Sequence, residues 1–136
     1  MRYEVQAIGI VESPLRERGE GPRQGDEGAP ETTIAIGDVY VPALDGIDAG
    51  DEVLVLTWLD RARRDVLAVH PRGEATRPLQ GVFATRSPDR PNPIGLHRVR
   101  VLAIDGTRVR VADLEAIDGT PVLDIKPVLP ANIDER

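Results

Sequence analysis

Thirteen glycines and twelve prolines break this 136-residue chain into short segments, and within those segments apolar residues recur with period two. Proline removes a backbone donor and glycine raises the entropic cost of order. No run reads as a helix of more than two turns. Strands are predicted at 3–12, at 32–41 (a pair, or one strand bent around Gly37-Asp38), at 52–59, 66–70, 81–85, 99–104, 109–114 and 122–125. The run EVLVLTWL at 52–59 is the most continuously apolar and reads as a central strand. Leu44 and Ile47, spaced i, i+3, predict one helical turn within 42–50. Asp105-Gly106 between two alternating runs is a hairpin signal. Residues 117–120 read as a second turn, and residues 13–31, poor in large apolar side chains, as a long loop. The pattern predicts an all-β fold, a small closed or nearly closed barrel, as one domain over 1–136. No G-x-G-x-x-G follows a strand and βαβ alternation is missing, so a Rossmann nucleotide fold is not expected.

Composition narrows the function. The chain has no cysteine, which excludes disulfides and thiolate metal sites, and with only His70 and His97 no metal site is expected. No apolar run approaches the ~20 residues of a membrane span, and the start MRYEVQAIG lacks the pattern of a signal peptide. A cytoplasmic protein without a membrane partner is expected. The net charge of −6 argues against strong nucleic-acid binding. Its distribution argues the other way. Residues 85–110 hold six arginines against Asp89 and Asp105, and residues 61–77 hold five against Asp65 and Glu74. These arginines either form a basic face or pair with neighbouring carboxylates. Lys126 is the one lysine in the chain.

The segment 81–97, GVFATRSPDRPNPIGLH, is the richest in chemistry. It starts with strand-like residues and then stiffens. Pro88, Pro91 and Pro93 fix φ near −65°, and Arg86, Ser87, Arg90 and Asn92 lie among them. A rigid loop presenting guanidinium and amide groups suits an anionic or zwitterionic ligand. The plain alternative is a proline-rich connector with solvated arginines.

This loop resembles the signature of the TsaA-like (TrmO-type) family of S-adenosylmethionine-dependent tRNA methyltransferases. The block IDGTPVLDIKPVLP at 117–130 is similar to the family's other signature, and Pro22-Arg23-Gln24 to its N-terminal PRQ element. The blocks occur in the family's order, and with IGIVESP at 8–14 the resemblance runs over nearly the whole chain. It implies a small β-barrel that binds S-adenosylmethionine without a Rossmann fold. It also implies a homodimer with each cofactor site near the subunit boundary. The implied acceptor is N6 of a threonylcarbamoyl-adenosine beside the tRNA anticodon.

Such a reaction needs little machinery: the methyl donor and nucleophile held in line, and one proton accepted. Arg86 can take the methionine carboxylate in a charge-assisted fork, or pair with Asp89 or Asp118. Leu96 can wall the adenine or pack in the core. The resemblance puts cofactor contacts on Arg86 and on Ile117, Asp118, Gly119 and Thr120, where backbone N–H groups could read adenine or ribose. Asp118 is equally ordinary turn chemistry. Gln24 can meet a purine edge and Arg23 a phosphate or carboxylate. Arg90, Asn92 and Lys126 are candidates for the substrate, with Arg90 and Asn92 as braces the alternative. Asp118 and Lys126 are candidate proton acceptors. Asp124 and Lys126, at i, i+2, would share one strand face and could pair.

Some residues depart from the family. The central strand DEVLVLTWLD keeps Trp58 but carries no histidine, Val128 replaces a tyrosine, and Gly25-Asp26-Glu27 follows the PRQ element. The extra C-terminal domain common in bacterial members is not expected here. Four aromatic residues are few for stacking an extruded base. These departures leave two further readings open: a methyltransferase of the same barrel type acting on a small molecule or a protein side chain, and a non-catalytic S-adenosylmethionine-binding module.

Overall fold

Alternation along the strands builds one buried face. In Glu52–Trp58, Val53, Val55 and Thr57 point inward and are buried, while Leu54, Leu56 and Trp58 are only partly covered. The same rule orders the other strands of the computed structural model, which describes residues 1–15, 31–71 and 74–130. The strands are β1 (Gly9–Glu12), β2 (Thr32–Ile36), β3 (Glu52–Trp58), β4 (Ala68–Val69), β5 (Gln80–Gly81), β6 (Ile94–Asp105), β7 (Arg108–Ala112) and β8 (Pro121–Pro127). Six of them close an antiparallel barrel in the order β1-β2-β7-β6-β3-β8, and β4 and β5 form a separate two-stranded ribbon. The core is almost entirely Val and Ile, with Val11, Ile34, Val55, Val111 and Val122 fully buried beside Leu114. β-branched residues suit a pleated, packed surface.

The all-β barrel is thus as predicted, with differences at strand ends. β1 begins at Gly9 rather than at residue 3, because its partners run out there: Gly9 pairs with Ile36 and Val122. Tyr3 and Val5 are left exposed. The bent strand predicted at 32–41 stops at Ile36, and Asp38–Leu44 forms a 3₁₀ helix that inserts Leu44 into the core. It overlaps the helical turn predicted at 42–50 but starts earlier. The predicted strand at 66–70 shrinks to the two residues of β4. The strand predicted at 81–85 is instead a 3₁₀ turn, Val82–Ala84, that buries Val82 and exposes Phe83. The hairpin at 99–114 is present, but β6 begins at Ile94, directly after the proline-rich loop. Asp105 pairs with Arg108, so Gly106 and Thr107 are the two loop residues, and Gly106 takes φ +61° as such a tight loop requires. The long loop predicted at 13–31 lies mostly outside the described residues.

β3 is the central strand, paired along its length with β6 and β8. Its inner Thr57 is flanked by Gly95 and Val122. Thr57 is fully buried, and its hydroxyl lies 2.8 Å from His97 Nε2. Gly95 makes room for this pair: a Cβ there would lie 2.3 Å from Thr57 Oγ1 and 2.8 Å from His97 Nε2. Burial pushes the His97 imidazole down from 6.5 to about 4, since desolvation disfavours the charged ring. Between these values the unfolded chain holds a proton that the folded chain does not. Stability is unaffected above pH 6.5 and falls as the pH drops toward 4, by roughly 3 kcal/mol over the full window. In urea unfolding at pH 7 and pH 4.5, the wild-type midpoint should fall further on acidification than that of His97→Gln. Equal falls would show that His97 titrates normally in the fold.

Candidate functional site

The motif segments converge on one end of the barrel. Trp58 ends β3 there and pairs with Ile94, so the proline-rich loop enters β6 beside it. On the other flank Thr57 pairs with Val122, so the turn 117–120 enters β8 at the same end. The exit of β1 joins them. Val11 N–H donates to the Thr120 carbonyl at 2.9 Å, Gly119 N–H to the Val11 carbonyl at 2.7 Å, and Asp118 N–H to the Leu15 carbonyl at 2.6 Å. Arg23 and Gln24 lie outside the described residues. The open groove lined by Ile47, Asp51, Pro127 and Leu129 is at the opposite end and contains none of the candidate residues.

The proline-rich loop is braced from within by Arg90. Its guanidinium donates to the carbonyls of Thr85 at 3.0 Å, Ser87 at 3.0 Å and Val82 at 2.9 Å. The Val82 carbonyl also accepts the Thr85 N–H and hydroxyl, each at 3.0 Å. Arg90 is half-buried and both its Nη atoms are bonded to carbonyls of the loop, so it braces the loop. Arg86 differs. It is exposed, follows the 3₁₀ turn rather than a strand, and bonds to no described residue, so neither Asp89 nor Asp118 holds it. It is a fixed-origin guanidinium with its fork available.

A second brace comes from residues 61–65. Arg63 N–H donates to Asp89 Oδ1 at 2.9 Å, and Arg90 N–H to the Arg63 carbonyl at 3.0 Å. Arg64 reaches the Pro91 carbonyl through Nε at 2.7 Å and Asn92 Oδ1 through Nη2 at 2.9 Å. Its guanidinium carbon lies 5.1 Å from the Trp58 ring centroid, within cation–π range. Only the tertiary fold brings these residues together, so spacing in the sequence carried no signal of the contact.

The turn 117–120 is built as an anchor. Gly119 has φ +85°, a conformation glycine adopts freely. The N–H groups of Asp118, Gly119 and Thr120 are all bonded within the protein, Thr120 N–H to the Ile117 carbonyl at 3.1 Å. Asp118 Oδ1 accepts the Ser13 N–H at 3.0 Å, and Thr120 Oγ1 donates to the Ile117 carbonyl at 2.6 Å. These backbone donors hold the exit of β1 and their own turn.

The outer wall beside this end carries the remaining candidates. Leu56 pairs with Leu96 on one side and Asp124 on the other, and Leu54 pairs with Arg98 and Lys126. Leu96 therefore faces outward, 48% exposed, rather than into the core. Asp124 and Lys126 share the outer face as expected, with Lys126 Nζ 3.0 Å from Asp124 Oδ2.

Many arginines of the two basic segments are paired. Arg63 binds Asp65 at 3.0 Å, Arg77 binds Glu74 at 2.8 Å, Arg98 binds Glu52 at 2.6 Å, and Arg108 binds Glu12. The Arg98 guanidinium holds the Glu52 carboxyl below the usual carboxylate range, and Arg63 does the same to Asp65. Among the described residues no group of three or more His, Asp or Glu could hold a metal ion, and no helix is long and apolar enough to cross a membrane.

The chain is 44% identical over 127 residues to a probable S-adenosyl-L-methionine-binding protein of Methanothermobacter thermautotrophicus, covering 93% of this chain and 90% of that one. It is also 44% identical over 126 residues to an S-adenosyl-L-methionine-binding protein of Archaeoglobus fulgidus, covering 93% and 89%. Its fold superposes on the crystal structure of TrmO from Pseudomonas aeruginosa with a TM-score of 0.77 at 32% identity. All of this chain is covered in that superposition, but it spans only 61% of the Pseudomonas protein. Residues 10–135 match the tRNA-methyltransferase O N-terminal domain. The chain belongs to that family.

Proposed function

We propose that this protein is an S-adenosyl-L-methionine-dependent methyltransferase that methylates N6 of threonylcarbamoyl-adenosine beside the tRNA anticodon. The family match supports the class of reaction, and the names of the relatives support the methyl donor. The observation that carries the reading is Arg86: an exposed guanidinium on a loop stiffened by prolines and by Arg90, at the barrel end where the motif segments meet.

The residues present fit the donor at two points. Arg86 offers a fork for its carboxylate, and Leu96 beside Leu56 offers an apolar wall for its adenine. When bound, S-adenosyl-L-methionine supplies an activated methyl: the C–S bond breaks with its electron pair going to sulfur as the N6–C bond forms. The protein orients the two partners and leaves the N6 proton a route to a base. Asp118, anchored through Oδ1 to the Ser13 N–H, is the carboxylate within the motif turn. Lys126, paired with Asp124 on the outer wall, is presented as a cation that suits an anionic acceptor. We read the protein as a cytoplasmic, single-domain homodimer. The exposed Ile10 and Ile94 on the outer barrel wall are surface that a second copy would cover.

A second reading keeps the donor and replaces tRNA with a small-molecule or protein acceptor. Two facts favour it: the net charge of −6 and the carboxylate partners of Arg63, Arg77, Arg98 and Arg108. Salt separates the two, because tRNA binding weakens steeply with ionic strength. A non-catalytic module would bind the donor and its demethylated product and transfer nothing.

Labelled S-adenosyl-L-methionine incubated with tRNA lacking the mark should place label on N6 of the threonylcarbamoyl-adenosine, read by nucleoside analysis. Label elsewhere, or none from a folded enzyme, would move the reading to another acceptor or to the binding module. Arg86→Ala should weaken donor binding by about 10- to 100-fold, the worth of roughly 1.5–3 kcal/mol for a charge-assisted pair, without lowering the unfolding temperature. Unchanged affinity by calorimetry would take Arg86 out of the site.

A further inference from the structure

Asn92 lies between Pro91 and Pro93. Their rings fix the backbone on both sides, so its remaining freedom is in its own side chain. That freedom is taken up by Arg64. A guanidinium has donors only, so the atom it meets at 2.9 Å must be the amide oxygen. The Nδ2 group then points away from Arg64. Nδ2 bonds to no described residue, and Asn92 is exposed. The guanidinium is itself held by the Trp58 ring and the Pro91 carbonyl. The backbone it grows from is docked on the loop through Arg63, Asp89 and Arg90.

We infer that Arg64 is a positioning residue that sets Asn92 with its NH₂ edge outward, so that this loop offers a hydrogen-bond donor to an oxygen acceptor on the methyl-accepting substrate. The role in catalysis rests on the methyltransferase reading above. The orientation of Asn92 does not. Lysine cannot replace Arg64, because one ammonium cannot stack flat on the indole while donating to both oxygens.

The test is a double-mutant cycle in methyl transfer to tRNA, with the Asn92 side-chain amide followed by ¹⁵N NMR. Arg64→Ala and Asn92→Ala should each lower kcat/KM by about tenfold, and the double variant should lose no more than the larger single loss. Arg64→Lys should not rescue. Asn92→Asp keeps the shape and the partner for Arg64 but removes the donor, and should cost more than Asn92→Ala. The wild-type amide should be rigid and should become mobile in Arg64→Ala. Additive losses, full activity of Asn92→Asp, or an amide equally mobile with and without Arg64 would each overturn the inference. If the wild-type protein transfers no methyl to tRNA, the acceptor reading fails, and the amide spectra alone decide whether Arg64 holds Asn92.

Discussion

Closure of the barrel is the constraint on which everything else rests, and its seam is short. β1 and β8 share only the pairs Gly9–Val122 and Ile10–Pro121. Two pairs would be a weak join. The seam is extended by Ile8 N–H to the Val122 carbonyl, by Val11 N–H to the Thr120 carbonyl, and by the contacts of Asp118 and Gly119. The turn at 117–120 therefore stitches the first strand to the last. Glycine at 119 and aspartate at 118 are needed there whatever else the turn does, because the positive φ and the Ser13 cap both belong to the join.

That double duty explains why the candidate site was only partly legible in the sequence. Strand alternation depends on local pattern, so the barrel, its central strand and the hairpin could be read directly. Strand ends depend on where partners stop, and this is why β1 begins at Gly9 and β6 reaches back to Ile94. The proline-rich loop was recognisable as rigid, but the roles of its arginines were not. Arg86 and Arg90 are four residues apart and chemically identical. Only the carbonyls of Val82, Thr85 and Ser87, turned inward by the 3₁₀ turn, make one a brace and leave the other available. Arg64 and His97 were invisible as partners of Asn92 and Thr57 for the same reason: each contact spans 28 or 40 residues of chain.

Arginine here is largely a structural material. Arg90 and Arg64 bind carbonyl oxygens that the irregular backbone would otherwise leave to water, Arg98 ties β6 to Glu52 on the neighbouring β3, and Arg108 reaches from β7 across β2 to Glu12 of β1. Exposed pairs of this kind add little stability each. Their larger effect is to set a carboxylate beside Arg63, Arg77, Arg98 and Arg108 and so reduce the positive charge that the sequence concentrates in two segments.

The two ends of the barrel thus have separate duties. The end opposite the motif loops is covered by the Asp38–Leu44 3₁₀ helix, which buries Leu44, and is tied by backbone bonds: Gly50 N–H meets the Val101 carbonyl at 2.7 Å, and Val101 N–H meets the Asp51 carbonyl at 2.8 Å. The exposed bend at 45–50 beside it carries none of the candidate residues. It is the natural handle of the molecule, a place where a fluorophore or a surface tether can be attached while the loops that face a ligand stay clear.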